Sequence, residues 1–229
     1  MTQRFAIYYA PDTTSGLWDR ASAWLGRDSA SGEFFEGAVA GIERTRLLNL
    51  TQSASRYGFH ATIKPPMALA DGETAEGLRT ALADFAARQS AFSIGRLRLA
   101  SLHGFLALVP ETENETLQDF AADVVETFDP FRAPLSDRDK AARRAAGLSP
   151  HQEELLEAYG YPYVFDQFRF HMTLTDRLAE DDHHDLSAAA NTWFGPLLGD
   201  AVTIDRLVVY HEPDSGRPFR RLDDFRLGA

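Results

Sequence analysis

The sequence predicts an α+β protein of two similar lobes, each an antiparallel sheet with helices on the outside, and a groove between them. Three observations carry this prediction. Short stretches with strand alternation are interleaved with amphipathic helical stretches. A pattern of Phe-His-apolar-Thr-apolar occurs twice, at Phe59–Ile63 and at Phe170–Leu174. A second pattern, Ile-x-Arg-Leu, follows each copy at almost the same distance: Ile94 lies 34 residues after His60, and Ile204 lies 33 after His171. In both halves the order reads motif strand, helix, strand, strand, which is the signature of an internal repeat. The 229 residues are therefore assigned to one bilobal domain, 1–229. Its first motif lobe is placed at about 55–110, a helical insertion at about 130–160, and its second motif lobe at about 161–227.

The elements follow from local pattern. Residues 4–10 (RFAIYYA) read as a strand ended by Pro11, and 14–27 as a helix with Leu17, Trp18, Ala21 and Leu25 on one side. Residues 28–54, rich in Gly and Ser, give no clear element. A strand is predicted at 57–64, stopped by Pro65 and Pro66, then a helix at 73–89 with Leu78, Leu82 and Phe85 on one face. Strands at 92–100 and 104–109 join tightly at His103-Gly104. Thr112 and Glu115 form a capping-box pattern ahead of a helix that carries Leu117, Phe120, Val124 and Phe128. After a linker at 130–135, two short helices are predicted at 136–147 and 149–159, capped by Ser136 and Ser149 and ended by Gly147 and Gly160. A strand at 163–174, a helix at 181–197 and strands at 202–211 and 218–226 complete the chain.

Composition removes several function classes. There is no cysteine, so disulfides, thiol catalysis, zinc–thiolate sites and iron–sulfur clusters are excluded. The formal net charge of −11 is wrong for a general binder of duplex nucleic acid, which needs many phosphate contacts from Lys and Arg. It leaves room for one small anion in a local positive pocket. No apolar stretch has the length of a membrane span, so no membrane partner is expected. The N-terminal residues lack a basic start followed by an apolar run, so no secretory signal and a cytoplasmic location are expected. Lys64 and Lys140 are the only lysines, and Lys64 stands in the first motif.

Alternation along a strand sends successive side chains to opposite faces. Phe59, Ala61 and Ile63 then share a core face, while His60, Thr62 and Lys64 share a polar one. Phe168, Phe170, Met172 and Leu174 likewise oppose Arg169, His171 and Thr173. Two imidazoles and two hydroxyls brought together suit a tetrahedral anionic group with a nucleophile on one side and a leaving group opposite; a phosphodiester is such a group. One neutral His takes a proton from the attacking hydroxyl, and a protonated partner supplies one to the leaving oxygen. The threonines, with Lys64 and Arg169 as substrate-binding cations, hold the non-bridging oxygens. Two hydrogen bonds plus a phosphate ask for imidazoles about 5–8 Å apart. No metal is required where a neighbouring hydroxyl has already formed a strained cyclic ester, and no cofactor is expected.

These residues resemble the paired His-x-Thr-x motifs of the 2H phosphoesterase superfamily, which includes bacterial RNA 2′-5′ ligase-like proteins and cyclic phosphodiesterases. A narrower resemblance is carried by RYGFHATIKPP at 56–66, FRAPL at 131–135, Arg143-Arg144, GYPYV at 160–164 and FRFHMTLT at 168–175. Those strings are similar to the 2H-related proteins encoded in bacterial phosphonate-utilisation operons. The resemblance covers both lobes. It implies a bilobal α+β fold, cyclic phosphodiester chemistry and a catalytic set of His60, Thr62, His171 and Thr173.

Other residues carry weaker expectations. Arg132, Arg143 and Arg144 sit in the inserted segment, where they can cover the groove or form a solvated helix face. Tyr161 and Tyr163 can stack on a ligand or belong to the core. His183 and His184 are adjacent on a helix and splay about 100° apart, a poor chelating pair, so EDDHHD reads as the charged start of a helix. The expected function is a metal-independent phosphoesterase acting on a small phosphorylated substrate, such as a phosphorylated sugar in phosphonate metabolism. The alternatives are a non-catalytic binding module for a phosphorylated metabolite, and an RNA 2′,3′-cyclic phosphodiesterase, which the net charge disfavours.

Overall fold

The computed structural model describes residues 3–145 and 147–228. The strands are β1 (Arg4–Tyr9), β2 (Ala61–Met67), β3 (Phe92–Leu102), β4 (Phe105–Pro110), β5 (Met172–Thr173), β6 (Ala201–Ile204), β7 (Arg206–Glu212) and β8 (Arg220–Arg226). The helices are α1 (Gly16–Leu25), α2 (Arg44–Asn49), α3 (Gln52–Tyr57), α4 (Ala75–Arg88), α5 (Glu115–Thr127), α6 (Asp137–Arg144), α7 (Pro150–Tyr159) and α8 (Glu180–Phe194). The architecture is α+β. The eight strands form one curled sheet in the order β6-β3-β4-β5-β2-β1-β7-β8, with every pairing antiparallel.

The two motif strands are neighbours at the centre of this sheet, with Ala61 opposite Met172. The four-stranded halves on either side are not built from the two sequence halves. β2 lies with β1, β7 and β8, whereas β3 and β4, which follow β2 in the chain, lie with β5. The helices cross over in the same way: α4 packs on β7 and β8, and α8 on β3 and β4. β3 carries the whole of the first Ile-x-Arg-Leu pattern, whereas the second is split, with Ile204 ending β6 and Arg206-Leu207 opening β7. One continuous core, from Trp18 and Trp24 of α1 through Phe59 and Met172 to Phe194 and Tyr210, runs beneath both halves.

Several boundaries differ from the sequence prediction, each for a local reason. Residues 28–54 contain α2 and the start of α3. The predicted strand at 57–64 begins at Ala61 and runs on through Pro65 and Pro66 to Met67. Beyond Ala61 the edge of β2 towards β5 carries no ladder, so the missing proline N–H groups cost little there. The long strand at 163–174 reduces to Met172–Thr173, preceded by a 3-10 turn at Phe165–Gln167 where Phe165 has φ 53°. The alternation nevertheless holds: Phe168, Phe170, Met172 and Leu174 are all buried. The helix predicted from Thr112 starts at Glu115, capped by Asn114, whose side chain accepts from the Leu117 N–H. The 136–147 helix ends at Arg144, and residue 146 of that span lies outside the described residues. The β3–β4 hairpin turns on His103 and Gly104, both at positive φ.

The structure corrects one expectation outright. Lys64 does not share the polar face with His60 and Thr62. The β1–β2 register shifts twice between Phe5 and Tyr8, and this bulge turns Lys64 to the helix side. There it is 1% exposed, and its ammonium donates to the Val125 carbonyl at the C-terminal end of α5 and to Asp129 Oδ1, both at 3.1 Å. Burial pushes its pKa down, opposed by Asp129. Asp129 also accepts from Arg132. Asp129→Ala should therefore destabilise the protein by roughly 3 kcal/mol in urea unfolding, since it strands a buried ammonium. Lys64→Met, which removes the charge but keeps an apolar chain of similar length, should cost less.

Candidate functional site

The register Ala61–Met172 sets His60 opposite Thr173 and Thr62 opposite His171. Opposite residues of an antiparallel pair point to one face, and diagonal neighbours lie about 7–8 Å apart. His60 and His171 are such a diagonal pair. The groove is therefore not a cleft between two separate sheets but a hollow of about 420 Å³ on the face of one continuous sheet. His60, Thr62, Thr173 and Thr175 line it, with Pro65 and Pro66 in the wall place predicted for Lys64; His171 is not in the lining and stands at its margin, its ring 5.9 Å from that of the lining residue Phe105.

Both imidazoles are oriented by the same device. His60 Nδ1–H donates to the Gly58 carbonyl at 2.8 Å, and His171 Nδ1–H to the Arg169 carbonyl at 2.7 Å. Each bond runs two residues back along the chain and fixes the tautomer that leaves Nε2 as the reactive atom. His60 Nε2 lies 3.2 Å from Thr62 Oγ1, which donates to it in that tautomer. Gly58 is required by its backbone. It sits at φ 79° and ψ 174°, and a Cβ there would come within 2.6 Å of Ser29. Around it, Arg27 donates to the carbonyls of Ser55, Arg56 and Phe219, and the Tyr210 hydroxyl donates to the Phe59 carbonyl. On the other side, Trp24 Nε1 donates to the Leu174 carbonyl, and the Thr175 hydroxyl accepts from the Leu106 N–H.

Arg169 is the second cation that the structure places elsewhere. Its guanidinium donates to the carbonyls of Asp166 and Phe168 in its own turn, and it is exposed outside the groove. The 3-10 turn curls the side chain back where a regular strand would have aimed it beside His171. What Arg169 contributes is its carbonyl, which holds His171.

Tyr8, Tyr57, Arg4 and Gly58 complete the site without having been singled out in the sequence. Tyr8 stacks on His60 with ring centres 3.8 Å apart, and Tyr57 and Tyr210 stand 6.2 and 5.9 Å away. The ring of His60 is thus enclosed, although an edge stays open to the groove. Burial lowers its pKa to about 4; the Gly58 bond opposes this and the charge of His171 adds to it. Burial lowers the pKa of His171 as well, opposed by the Arg169 carbonyl. His60 is thus the more strongly held in the neutral form. The signal for Tyr8 was the alternation Arg4-Ala6-Tyr8 along β1, but nothing in the sequence said which strand pairs with β2.

The remaining candidates divide cleanly. Arg143 and Tyr161 line the groove, and Asp176, also in its wall, accepts from the Ser53 and Ala54 N–H groups at the start of α3. Arg132 pairs with Asp129, and Arg144 with Glu153 and Glu157. Tyr163 is exposed. His183 and His184 lie in the first turns of α8 behind three carboxylates, with His183 bonded to Ser101. Among the described residues no three His, Asp or Glu side chains converge in a way that could hold a metal ion, and no helix is long and apolar enough to cross a membrane.

Two His-x-Thr segments meet at the centre of a curled antiparallel sheet. The chain belongs to the family described as "Protein of unknown function (DUF1045)", which matches residues 62–220. It is 38% identical over 221 residues to ribose 1,5-bisphosphate phosphokinase PhnN of Janthinobacterium sp. (strain Marseille), covering 94% of this chain and 49% of that protein. It is 34% identical over 219 residues to the protein of the same name from Laribacter hongkongensis (strain HLHK9), covering 95% of this chain and 50% of that protein. The chain thus spans about half the length of the curated relatives it matches. Among solved structures, a phosphoesterase aligns over all of both chains at 15% identity and TM-score 0.45. E. coli LigT complexed with NADP+ aligns over 100% of this chain and 99% of that one, at 14% identity and TM-score 0.44.

The depressed pKa of His60 has a consequence for stability. Between about pH 4 and the ordinary imidazole value of 6.5 the unfolded chain binds a proton at this position that the folded one does not. Stability should fall as pH drops through that window. His60→Gln should flatten this part of the profile, read as a smaller shift of the urea midpoint between pH 6.5 and pH 4.5.

Proposed function

We propose that the chain is a metal-independent phosphoesterase that opens a small cyclic phosphodiester, with His60 as general base and His171 as general acid. The observation that carries the reading is the cross-strand square of His60, Thr62, His171 and Thr173, with both Nδ1 atoms tied to carbonyls. His60 Nε2 accepts a proton from water as the water oxygen bonds to phosphorus. The bond from phosphorus to the leaving oxygen breaks, and that oxygen takes the proton from His171 Nε2. The two histidines then exchange protons with solvent. On substrate binding the Thr62 hydroxyl turns from His60 Nε2 to a non-bridging oxygen, which frees Nε2 for the water, and Thr173 donates to another as charge shifts. The assignment of roles rests on electrostatics. The ring stacked under Tyr8 is the one held neutral, and it feels the charge of His171, so His171 is the first of the two to protonate.

The kinase name of the relatives does not conflict with this. A phosphate-binding loop of the G-x-x-x-x-G-K-[ST] kind needs a Gly-Lys pair, and this chain has none, its two lysines following Ile63 and Asp139. In this reading kinase activity belongs to the half of those proteins that the chain does not match. The substrate class that links the halves is a cyclic phosphodiester of a ribose phosphate, whose opening yields a ribose bisphosphate.

Phosphorus NMR with a panel of ribose cyclic phosphates, nucleoside 2′,3′-cyclic phosphates and short RNA ends tests the reading. Turnover should survive EDTA; its loss, restored by a divalent ion, places the chemistry in a different class. His60→Ala and His171→Ala should each lower kcat by about 10²–10⁴-fold. The double variant should lose less than the product of the two. The rate should be bell-shaped in pH, with its acid limb near the depressed pKa of His60 and its basic limb set by His171 in the substrate complex. A folded, fully active His→Ala variant removes that residue from the mechanism.

A further inference from the structure

Past His60 the groove runs to an end that this chemistry does not use. Arg4 from β1 and Arg143 from α6 line it, together with the tyrosines Tyr8, Tyr57 and Tyr161. Arg143 is unlike its neighbours. Arg144 and Arg132 are saturated by carboxylates, whereas Arg143 donates to no acceptor among the described residues. Its guanidinium carbon lies 5.3 Å from the centre of the Tyr161 ring, and its Nε is buried without a partner. Arg4 spends its Nε on Glu212 at 2.5 Å and leaves both Nη groups undirected to protein acceptors. Two acidic groups act on this pair, and both are otherwise engaged. Glu212 also accepts from Arg56, and Asp139, one turn before Arg143, accepts from Ser136 at the start of α6. Asp176, the carboxylate in the groove wall, accepts from the Ser53 and Ala54 N–H groups and pairs with neither arginine.

A guanidinium stripped of water and given no acceptor is unfavourable. Burial lowers the pKa of Arg143, and the like charge of Arg4 adds to that. Burial pushes the Tyr161 hydroxyl up to about 12 and that of Tyr8 well above its ordinary value, so both remain protonated donors. A planar fork of N–H donors beside phenolic hydroxyls is a receptor for a phosphate dianion.

We propose that this end of the groove is a second anion subsite, built by Arg143 and Arg4, that binds a terminal phosphomonoester carried by the substrate away from the reacting phosphodiester. The proposal rests on the phosphoesterase reading and deepens it, because it makes the substrate a small cyclic phosphodiester with a separate phosphate. It also gives the inserted helix a place in recognition. α6 is fixed by Lys140 and Arg144 to Glu153 and Glu157 of α7, and that bracing presents Arg143 to the groove.

Calorimetric titration of the unliganded protein with ribose 5-phosphate and with ribose 1,5-bisphosphate tests it. The bisphosphate should bind about tenfold tighter or more, the worth of one charge-assisted contact. Arg143→Gln should abolish that difference and Arg143→Lys should reduce it. Arg138→Gln, which removes the same charge from an exposed position of the same helix away from the groove and from the α7 bracing, should preserve it. Circular dichroism checks that each variant is folded. Equal affinities for the two probes in the parent, or equal effects of the two Gln variants, overturn the subsite. Arg143-dependent binding with no turnover of any cyclic phosphate keeps the subsite and rejects the phosphoesterase reading, so the two fail separately.

Discussion

The short pairing of β2 with β5 is the constraint on which the rest of the structure depends. A single ladder position, Ala61 against Met172, joins two four-stranded halves into one sheet and sets the cross-strand register of the two His-x-Thr segments. A slip of one residue in either strand would send that strand's histidine to the core face and its phenylalanine to the groove side. Such a short ladder cannot fix its own register. The neighbours fix it: six residue pairs between β3 and β4, the β4–β5 pairs Ala107–Thr173 and Leu108–Met172, and the β1 ladders to β2 and β7. The buried aromatic and aliphatic side chains on the far face of both motif strands make any slip expensive, since each would have to be exposed to water.

The exchange of strands between halves explains why the sheet is one body. Because β3 and β4 leave their own motif strand and pair beside the other one, neither half of the sequence closes a core by itself. Separating them would expose Phe59, Met172 and Phe194, which belong to one cluster. The histidines are therefore held by packing from both halves of the chain, and the carbonyls of Gly58 and Arg169 orient the rings from fixed backbone.

The class of fold, most elements and the four central residues were legible because they depend on local periodicity and on a repeated pattern. The two cations were misplaced for different reasons. A bulge in β2 reversed Lys64, whereas Arg169 keeps the alternation and folds its long side chain back onto the carbonyls of Asp166 and Phe168, beside the positive-φ turn at Phe165. Neither irregularity has a unique signature: Pro65-Pro66 reads as a stop, and a Phe at φ 53° is dictated by the tertiary packing around it. Strand order was also beyond the sequence, since the repeat says which segments are alike and not which lie side by side. For that reason Tyr8, which touches His60, was missed, while Tyr161 and Arg143 were noted only as candidates.

Lys64 and Arg143 show how one acidic protein treats two cations differently, the first buried and the second half-buried. Lys64 lies behind the sheet, saturated by Asp129 and the end of α5, where its charge is neutralised within the fold. Arg143 lies over the groove with only an aromatic face for company. Cation–aromatic contact offsets part of the desolvation of a guanidinium and leaves its in-plane donors free. A carboxylate partner would have been more stabilising and would have consumed those donors. Arg143, left unsaturated in a chain with 34 acidic residues, keeps in-plane donors available in the groove. A small anion that enters is drawn inward by local charge although the protein as a whole repels it. A long polyanion, which must lie along the outer surface as well, gains no such advantage. In the proposed reading, Arg143 therefore favours a compact phosphorylated molecule over a nucleic-acid chain, on grounds independent of the histidine chemistry.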